Sequence, residues 1–364
     1  MKVVLSGYYG FDNAGDEAIL AAMVEMFRAG GDLEPIVLSG NPTRTEALHG
    51  VSAVNRYCLR SIRRALQRAA ALVSGGGGLL QDATSVRSNL YYLGVIWLAR
   101  RLRRKVMVYA QSIGPLRRRI TRWLVRWGLR GVDLLTVRDE PSRELLTALG
   151  WQREEVLLTA DPTFALTPAP PERAEEILRA AGVPENEPRV GVVLRPTPRA
   201  AQVSRVVVAA LNEFLAKHPL RVVFLPFHPP GDCRVAEACS RQLHSSPAYL
   251  LPGGYRPQEW MALCGRCQLL LSERLHGLIF AATQGVPLVG IAYDPKVTGL
   301  LEQLDEPPPL TEETVTRESL VRALEAAWQE REERSARLHA AATRLRERAW
   351  KNTRLLHCLL APSD

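Results

Sequence analysis

The chain has 364 residues, 46% of them hydrophobic and 23% charged, with a formal net charge of +9 and a pI near 9.5. At roughly 100–200 residues per domain the length favours two domains, and the balance of apolar and charged residues excludes a disordered chain. The basic excess favours anionic partners such as phosphorylated metabolites or an anionic membrane surface, whereas nucleic acid is set aside because arginine is spread along the chain without zinc-finger spacing, an aromatic RNP pattern or a basic tail.

In chain order, short β-branched runs at 3–6, 36–39, 71–74, 106–111, 134–137 and 156–159 alternate with helical patterns at 16–28, 89–102, 120–129 and 142–149. That alternation predicts a parallel sheet covered by helices. The sequence TPAPP at 167–171 reads as a linker. The alternation then restarts, with strands at 190–194, 222–225, 269–272 and 288–292 and helices at 202–217, 234–243, 257–264, 276–284 and 298–304. From 312 to about 360 the pattern is helical and heavily charged, a solvated terminal segment. The expected fold is α/β: two Rossmann-like doubly wound domains in a glycosyltransferase-B-like arrangement, with the active site in the interdomain cleft. The domains expected are 1–168, 169–310 and a C-terminal helical segment over 311–364.

The cysteines at 58, 233, 239, 264, 267 and 358 show no framework spacing. Cys264 and Cys267 form a C-x-x-C without a second pair, so reduced thiols and no metal are expected. The opening MKVVLSGYYGFDN is too short an apolar stretch for a signal peptide, and 90–99 is too short to span a bilayer. A soluble, cytoplasmic chain is expected.

In open parallel sheets ligands sit beyond the carboxyl ends of the strands, so polar groups at strand-to-helix turns carry the functional reading. The first is GYYGFDNAGDE at 7–17, whose glycines permit close backbone approach and whose helix start offers N–H groups to an anion or a sugar. It lacks the G-x-G-x-x-G spacing of dinucleotide sites. Asp16 is either a cap or a ligand contact. The second is SGGGGLLQD at 74–82, a glycine-rich βα turn without the Lys-Ser/Thr of a Walker A loop. Gln81, Asp82, Arg87 and Asn89 follow it as possible partners of sugar hydroxyls or as caps.

In the second half Arg195 follows one strand and PFHPPGD at 226–232 follows the next. An arginine there suits a carboxylate or phosphate through a bidentate pair, while Asp232 is either a helix cap or a catalytic carboxylate. The segment SERLHG at 272–277 places Arg274 and His276 on one side of an extended stretch, just before a helix N-terminus, which makes a strong anion site. Lys296, in YDPKV after the following strand, is either a third cation of that site or a surface lysine.

Taken together, GYYGFDNAGDEAIL, SGGGGLLQDATS, AQSIGPL, VRDEPS, TADPTF, SERLHGLIFA and IAYDPKV resemble the polysaccharide pyruvyl transferase family, and within it the CsaB branch; the likeness covers positions 1 to about 305. The resemblance implies transfer of an enolpyruvyl-derived group from phosphoenolpyruvate, without a cofactor. The product implied is a 4,6-linked pyruvate ketal on N-acetylmannosamine of a cell-wall polysaccharide precursor linked to undecaprenyl diphosphate, an anionic ketal that anchors surface-layer proteins. It implies that Arg195, Arg274, His276 and Lys296 bind phosphoenolpyruvate, that Asp232 and His276 divide the proton transfers without assigning which is acid and which base, and that the first-domain loops hold the acceptor through Tyr9, Asn13, Asp16, Gly76, Gly77, Gln81, Asp82 and Arg87. Where many relatives are expected to read Pro-Trp after the arginine, this chain reads Pro196-Thr197. The competing reading on the same architecture is a nucleotide-sugar-dependent glycosyltransferase. A basic amphipathic stretch at 117–127, with two tryptophans, suits either a membrane surface, at the inner face of the plasma membrane, or ordinary packing on the sheet.

Overall fold

The computed structural model describes residues 1–31, 33–82 and 86–361, the side chains of 86 and 87 excepted. The first half runs β1 (Lys2–Tyr9), α1 (Ala14–Ala29), β2 (Glu34–Ser39), α2 (Pro42–His49), β3 (Ser52–Asn55), α3 (Leu59–Arg68), β4 (Ala71–Gly75), α4 (Val86–Arg101), β5 (Lys105–Gln111), α5 (Arg119–Leu129), β6 (Leu134–Val137), α6 (Glu140–Ala148) and β7 (Val156–Leu158). The second runs α7 (Pro171–Ala180), β8 (Arg189–Val193), α8 (Ala200–Leu215), β9 (Arg221–Phe224), α9 (Gly231–Ser240), β10 (Ala248–Leu250), α10 (Pro257–Cys264), β11 (Leu269–Ser272), α11 (Leu275–Thr283), β12 (Leu288–Ala292), α12 (Pro295–Gln303), β13 (Leu310–Thr311), α13 (Arg317–Gln329) and α14 (Arg331–Leu360).

Two parallel sheets result. The first has the order β3-β2-β1-β4-β5-β6-β7 and the second β10-β9-β8-β11-β12-β13. The residues divide into two compact units, one of Met1–Phe11, Asp16–Leu166 and Leu345–Asp364, the other of Asp12–Gly15 and Thr167–Arg344.

The two-residue period of the strands sorts the side chains between the faces of each sheet. In the first sheet Val4, Leu72, Val106 and Val108 pack on one side with Ile62 of α3, Ile96 of α4 and Val125 of α5. Val3, Leu5, Val73 and Met107 pack on the other with Ile19 and Met23 of α1 and Leu356 of α14. In the second sheet Val190, Val192, Val222, Phe224, Leu269 and Leu271 form a core with Val207 and Leu211 of α8 and Leu320 and Leu324 of α13. Strands buried on both faces need continuous apolar runs, and these are the ones the sequence pattern predicts.

The pattern misses β3 and β10, whose residues are half-buried or exposed because they lie at sheet edges. It also misses α3, an arginine-rich helix that buries only Ile62, Ala65 and Leu66. The irregular stretch before α7 ends at Pro171, which occupies the first turn of that helix, where its missing N–H costs nothing. The charged terminal segment forms α13 and α14. Within the second unit Arg334 of α14 pairs with Glu306 at 2.9 Å. Within the first, Thr136 donates to Asn352 at 2.7 Å and the hydroxyls of Tyr109 and Thr353 meet at 2.9 Å.

The strand order reverses direction between β1 and β4 in the first sheet and between β8 and β11 in the second. Both glycine-rich loops of the first unit follow β1 and β4. Gly76 sits at φ +71°, and a Cβ there would lie 2.0 Å from Cγ2 of Ile19. Replacing Gly76 by Ala is expected to cost about 2 kcal/mol through left-handed strain and the Ile19 collision. Urea denaturation checks this; an unchanged midpoint contradicts it.

Candidate functional site

Four neighbouring strands of the second sheet, β9, β8, β11 and β12, deliver the polar groups of the second unit at their carboxyl ends. After β11 the Ser272 hydroxyl accepts the Arg274 N–H at 3.0 Å and donates to the Arg274 carbonyl at 2.8 Å, closing the turn into α11. Gly277 is required beside that turn, because a Cβ would lie 2.4 Å from Ser272 Oγ. Arg274 is therefore held at the N-cap of α11, with His276 in its first turn.

The Arg274 guanidinium donates through Nε to Asp232 Oδ2 at 2.6 Å and through Nη2 to Oδ1 at 2.5 Å. Asp232 Oδ2 also accepts the His228 N–H at 3.0 Å, and the residue is 1% exposed. A bidentate, charge-assisted pair with an extra backbone donor is the geometry in which a buried carboxylate tolerates desolvation. Asp232 thus holds the loop residue His228 just before α9 and fixes the arginine of another strand end.

Glu273 alternates with Arg274 and is equally buried, at 1% exposure. Its Oε2 accepts the Arg195 N–H at 2.9 Å, and its Oε1 has no hydrogen-bond partner among the described residues. Burial pushes its carboxyl up to about 7, with the Glu312 carboxylate adding to the rise and the amide of Arg195 and the guanidinium groups of Arg195 and Arg274 opposing it. Glu312 is itself raised by burial, against the pull of Arg195 and the Thr197 hydroxyl. The Arg195 guanidinium lies 3.6 Å from the centroid of the Tyr293 ring, and Lys296 Nζ lies 5.0 Å from the same centroid. One aromatic ring so neighbours two cations from different strand ends. Lys296 Nζ is also 3.9 Å from Asp294 Oδ2.

The sequence pattern named Arg195, Asp232, Arg274, His276 and Lys296 but not Glu273, Glu312 or Tyr293. Glu273 and Tyr293 stand inside the SERLHG and YDPKV motifs, and their position at strand ends was the available signal. Glu312 has none, since it lies in a charged stretch that reads as solvated.

The segment Asp12–Gly15 is counted with this unit. The Ala14 N–H donates to the Phe227 carbonyl at 2.8 Å, Asn13 Oδ1 accepts the Gly15 N–H at 3.2 Å, and a Cβ on Gly15 would lie 2.1 Å from His276 Nδ1. The glycine of the first motif leaves room for the imidazole of the last.

Within the first unit Tyr9 is 1% exposed, and its hydroxyl donates to the Gly75 carbonyl at 2.7 Å. Glu17 shapes the same loop, Oε1 accepting the Gly10 N–H at 2.7 Å while Oε2 pairs with His49 at 2.8 Å. A Cβ on Gly77 would lie 3.0 Å from Asp16 Oδ1, so Asp16 and the second glycine loop adjoin. The Gln81 carbonyl accepts from Asn89 at 2.7 Å. Asp82 accepts the N–H groups of Arg117 at 2.9 Å and Arg118 at 2.8 Å. Burial raises its carboxyl, but the two amides together with the Thr121 hydroxyl and the Arg118 charge hold it below the usual range. The side chain of Arg87 lies outside the described residues. Arg56, which no sequence pattern singled out, is buried beneath Tyr91, 4.3 Å from its centroid, and donates to the Gly7 carbonyl at 2.9 Å. Among the described residues no group of three or more His, Cys, Asp and Glu is arranged to hold a metal ion.

The elevated Glu273 has a pH signature. Its folded value stands above the ordinary 4.5, so its contribution to stability is fully present below that value and is lost as pH rises through about 7. Glu273→Gln cannot ionise. Between pH 5 and 8 the variant should gain on the parent by on the order of 3 kcal/mol in urea unfolding. Parallel stability profiles would sink the assignment.

The fold resembles solved structures over nearly its whole length. A glycosyltransferase from Rickettsia africae superposes with a TM-score of 0.67 at 12% identity, covering 100% of this chain and 99% of that one. The UDP-GlcNAc 2-epimerase of Neisseria meningitidis, bound to UDP-GlcNAc, gives 0.62 at 12% identity, with 99% of each chain covered. HepE from Anabaena, in complex with UDP-glucose, gives 0.63 at 14% identity, covering 98% and 100%. At these identities the likeness establishes the two-domain, glycosyltransferase-B-like fold. No curated protein matches the sequence. The family model of polysaccharide pyruvyl transferases matches residues 13–295, which span both the glycine loop carrying Gly15 and the strand ends carrying Arg195, Arg274 and His276, and which end one residue before Lys296. The chain belongs to the polysaccharide pyruvyl transferase family and is a transferase of that kind.

Proposed function

We propose that the protein uses phosphoenolpyruvate to form a 4,6-linked pyruvate ketal on N-acetylmannosamine of a lipid-linked cell-wall polysaccharide precursor, as in the CsaB branch, with release of phosphate. The observation that carries this reading is the set of basic side chains at three adjacent strand ends. Arg195 follows β8, Arg274 and His276 follow β11, and Lys296 follows β12, while Asp232 after β9 orients Arg274. Phosphoenolpyruvate puts a carboxylate and a phosphate on one three-carbon skeleton, and several cations from different directions suit it better than a single arginine.

The chemistry balances without a cofactor. Protonation of the methylene carbon makes a methyl group and leaves cationic character at C2. A sugar hydroxyl adds to C2 and gives up its proton; the second hydroxyl then displaces phosphate, its proton leaving with the phosphate. One proton is consumed and two are released, so one returns to the donor side and the other departs as hydrogen phosphate. Asp232 is occupied as the acceptor of three hydrogen bonds, which supports a positioning role for it, with the opposite edge of the Arg274 fork facing the anion. His276 is then the proton carrier, and when protonated it also stabilises departing phosphate. The acceptor is held by the first-unit loops around Asp16, Gly76 and Gly77.

Phosphate release from phosphoenolpyruvate, measured with a lipid-linked N-acetylmannosamine disaccharide and with galactose- and glucose-bearing acceptors, tests the proposal. Release is expected with the first acceptor only. Arg274→Ala should lower it by roughly 100- to 1000-fold and His276→Ala by about 100-fold or more, with folding intact. If UDP-GlcNAc raises the melting temperature and phosphoenolpyruvate does not, the donor is a nucleotide sugar and the proposal fails.

A further inference from the structure

Arginine is less evenly spread than it first reads. Between Asp82 and Asp133 there is no acidic residue, yet the stretch holds eleven arginines and Lys105. The rest of the chain carries 35 basic and 38 acidic residues, so this one segment accounts for the whole positive excess. It comprises α4, β5 and α5, all within the first unit.

The same segment exposes apolar surface. Of nine large hydrophobic side chains exposed among the described residues, five lie here: Leu90 and Trp97 on α4, and Ile120, Trp123 and Trp127 on α5. Their spacings of seven residues on α4 and of three and four on α5 put each set on one side of its helix. The opposite side of α5 buries Thr121, Val125, Gly128 and Leu129. Both tryptophans of α5 therefore point away from the sheet rather than into it. Trp123 and Trp127 lie parallel at 6.3 Å, and a Cβ on Gly128 would come within 2.7 Å of Leu93, so α4 and α5 pack closely enough for their apolar stripes to neighbour one another. Around the stripes Arg100, Arg101, Arg118, Arg119, Arg122 and Arg126 are exposed. Asp82 ties down the start of the basic arm by accepting the amides of Arg117 and Arg118, so the cations are presented from an ordered turn.

We infer that this face of α4 and α5 is a docking surface for an anionic lipid bilayer, on which the two helices lie in the interface plane. Indoles flanked by aliphatic side chains and ringed by arginine match the boundary between headgroups and acyl chains, where indole is amphipathic and the surface potential is negative. A nucleic acid would use aromatic faces to stack bases, and Ile120 and Leu90 offer none. Among the described residues no helix is long and apolar enough to cross a membrane, so the contact is peripheral.

Co-sedimentation of the full chain with vesicles tests this without any substrate, so the donor chemistry does not bear on the outcome. Vesicles of phosphatidylcholine with 30% phosphatidylglycerol should bind at least ten times more protein than pure phosphatidylcholine at low salt, roughly the discrimination expected from several juxtamembrane arginines. Tryptophan emission should shift to the blue on binding. Trp123→Ser with Trp127→Ser, and separately Arg118→Glu, Arg119→Glu and Arg126→Glu together, should each lower binding about tenfold while circular dichroism stays unchanged. Binding that is absent, or is unaltered in both variants, overturns the inference. So does a dimer that the tryptophan substitutions dissociate, which would make the face an interface between copies, or a single-stranded oligonucleotide that displaces the vesicles.

Discussion

The pair of buried Asp232 and part-buried Arg274 sets the geometry on which the second unit's cationic face depends. Asp232 follows β9 and Arg274 follows β11, and β8 lies between those strands, so the pair spans the end of β8 where Arg195 emerges. Taking two charges out of water is costly, and only the bidentate contact with the additional His228 amide offsets it. The cost brings rigidity. A guanidinium gripped along one edge keeps its other edge in a fixed direction, whereas an unpaired arginine would have to be ordered each time an anion arrives.

The remaining cations follow the same principle. Arg195 and Lys296 share the Tyr293 ring, and the Arg195 backbone is tied to Glu273. Behind the cations stands a row of carboxylates: Asp232, Glu273, Asp294 and Glu312. Burial raises the carboxyls of two of them, Glu273 and Glu312, above the ordinary range, which disfavours their charged forms. A site that stores its orientation in this way spends little on reorganisation when charge moves between carboxylate, phosphate and the reacting carbon.

The first unit is organised by backbone rather than by charge. Gly76 and Gly77 adopt left-handed conformations and pass close to Ile19 and Asp16, while the Tyr9 hydroxyl holds Gly75 just before them and Glu17 holds Gly10 of the first loop. Carboxylates here orient backbone: Glu17 holds Gly10, and Asp82 holds the turn before α5. Asp82 therefore connects a glycine-rich loop to the most basic segment of the chain.

Much of this was legible in one dimension. Period-two runs located the buried strands, proline and glycine marked the breaks, and the Arg-Leu-His motif named its own strand end because alternation puts the two polar side chains together over residues adjacent in sequence. The partners were not legible. Arg274 and Asp232 are 42 residues apart, and Arg195 and Glu273 are 78 apart, distances over which no local pattern carries information. The edge strands β3 and β10 escaped because half-exposed strands need no apolar run. The faces of α5 were equally hidden, since Ile120, Trp123 and Trp127 on one side and Val125 and Leu129 on the other are all apolar. Local sequence determined which segments become strands and helices and which turns need glycine, because those choices rest on backbone sterics and short-range periodicity. Only the tertiary structure decided which carboxylate meets which arginine and which helix face meets water, because burial and pairing are set by strand order and packing across the whole sheet.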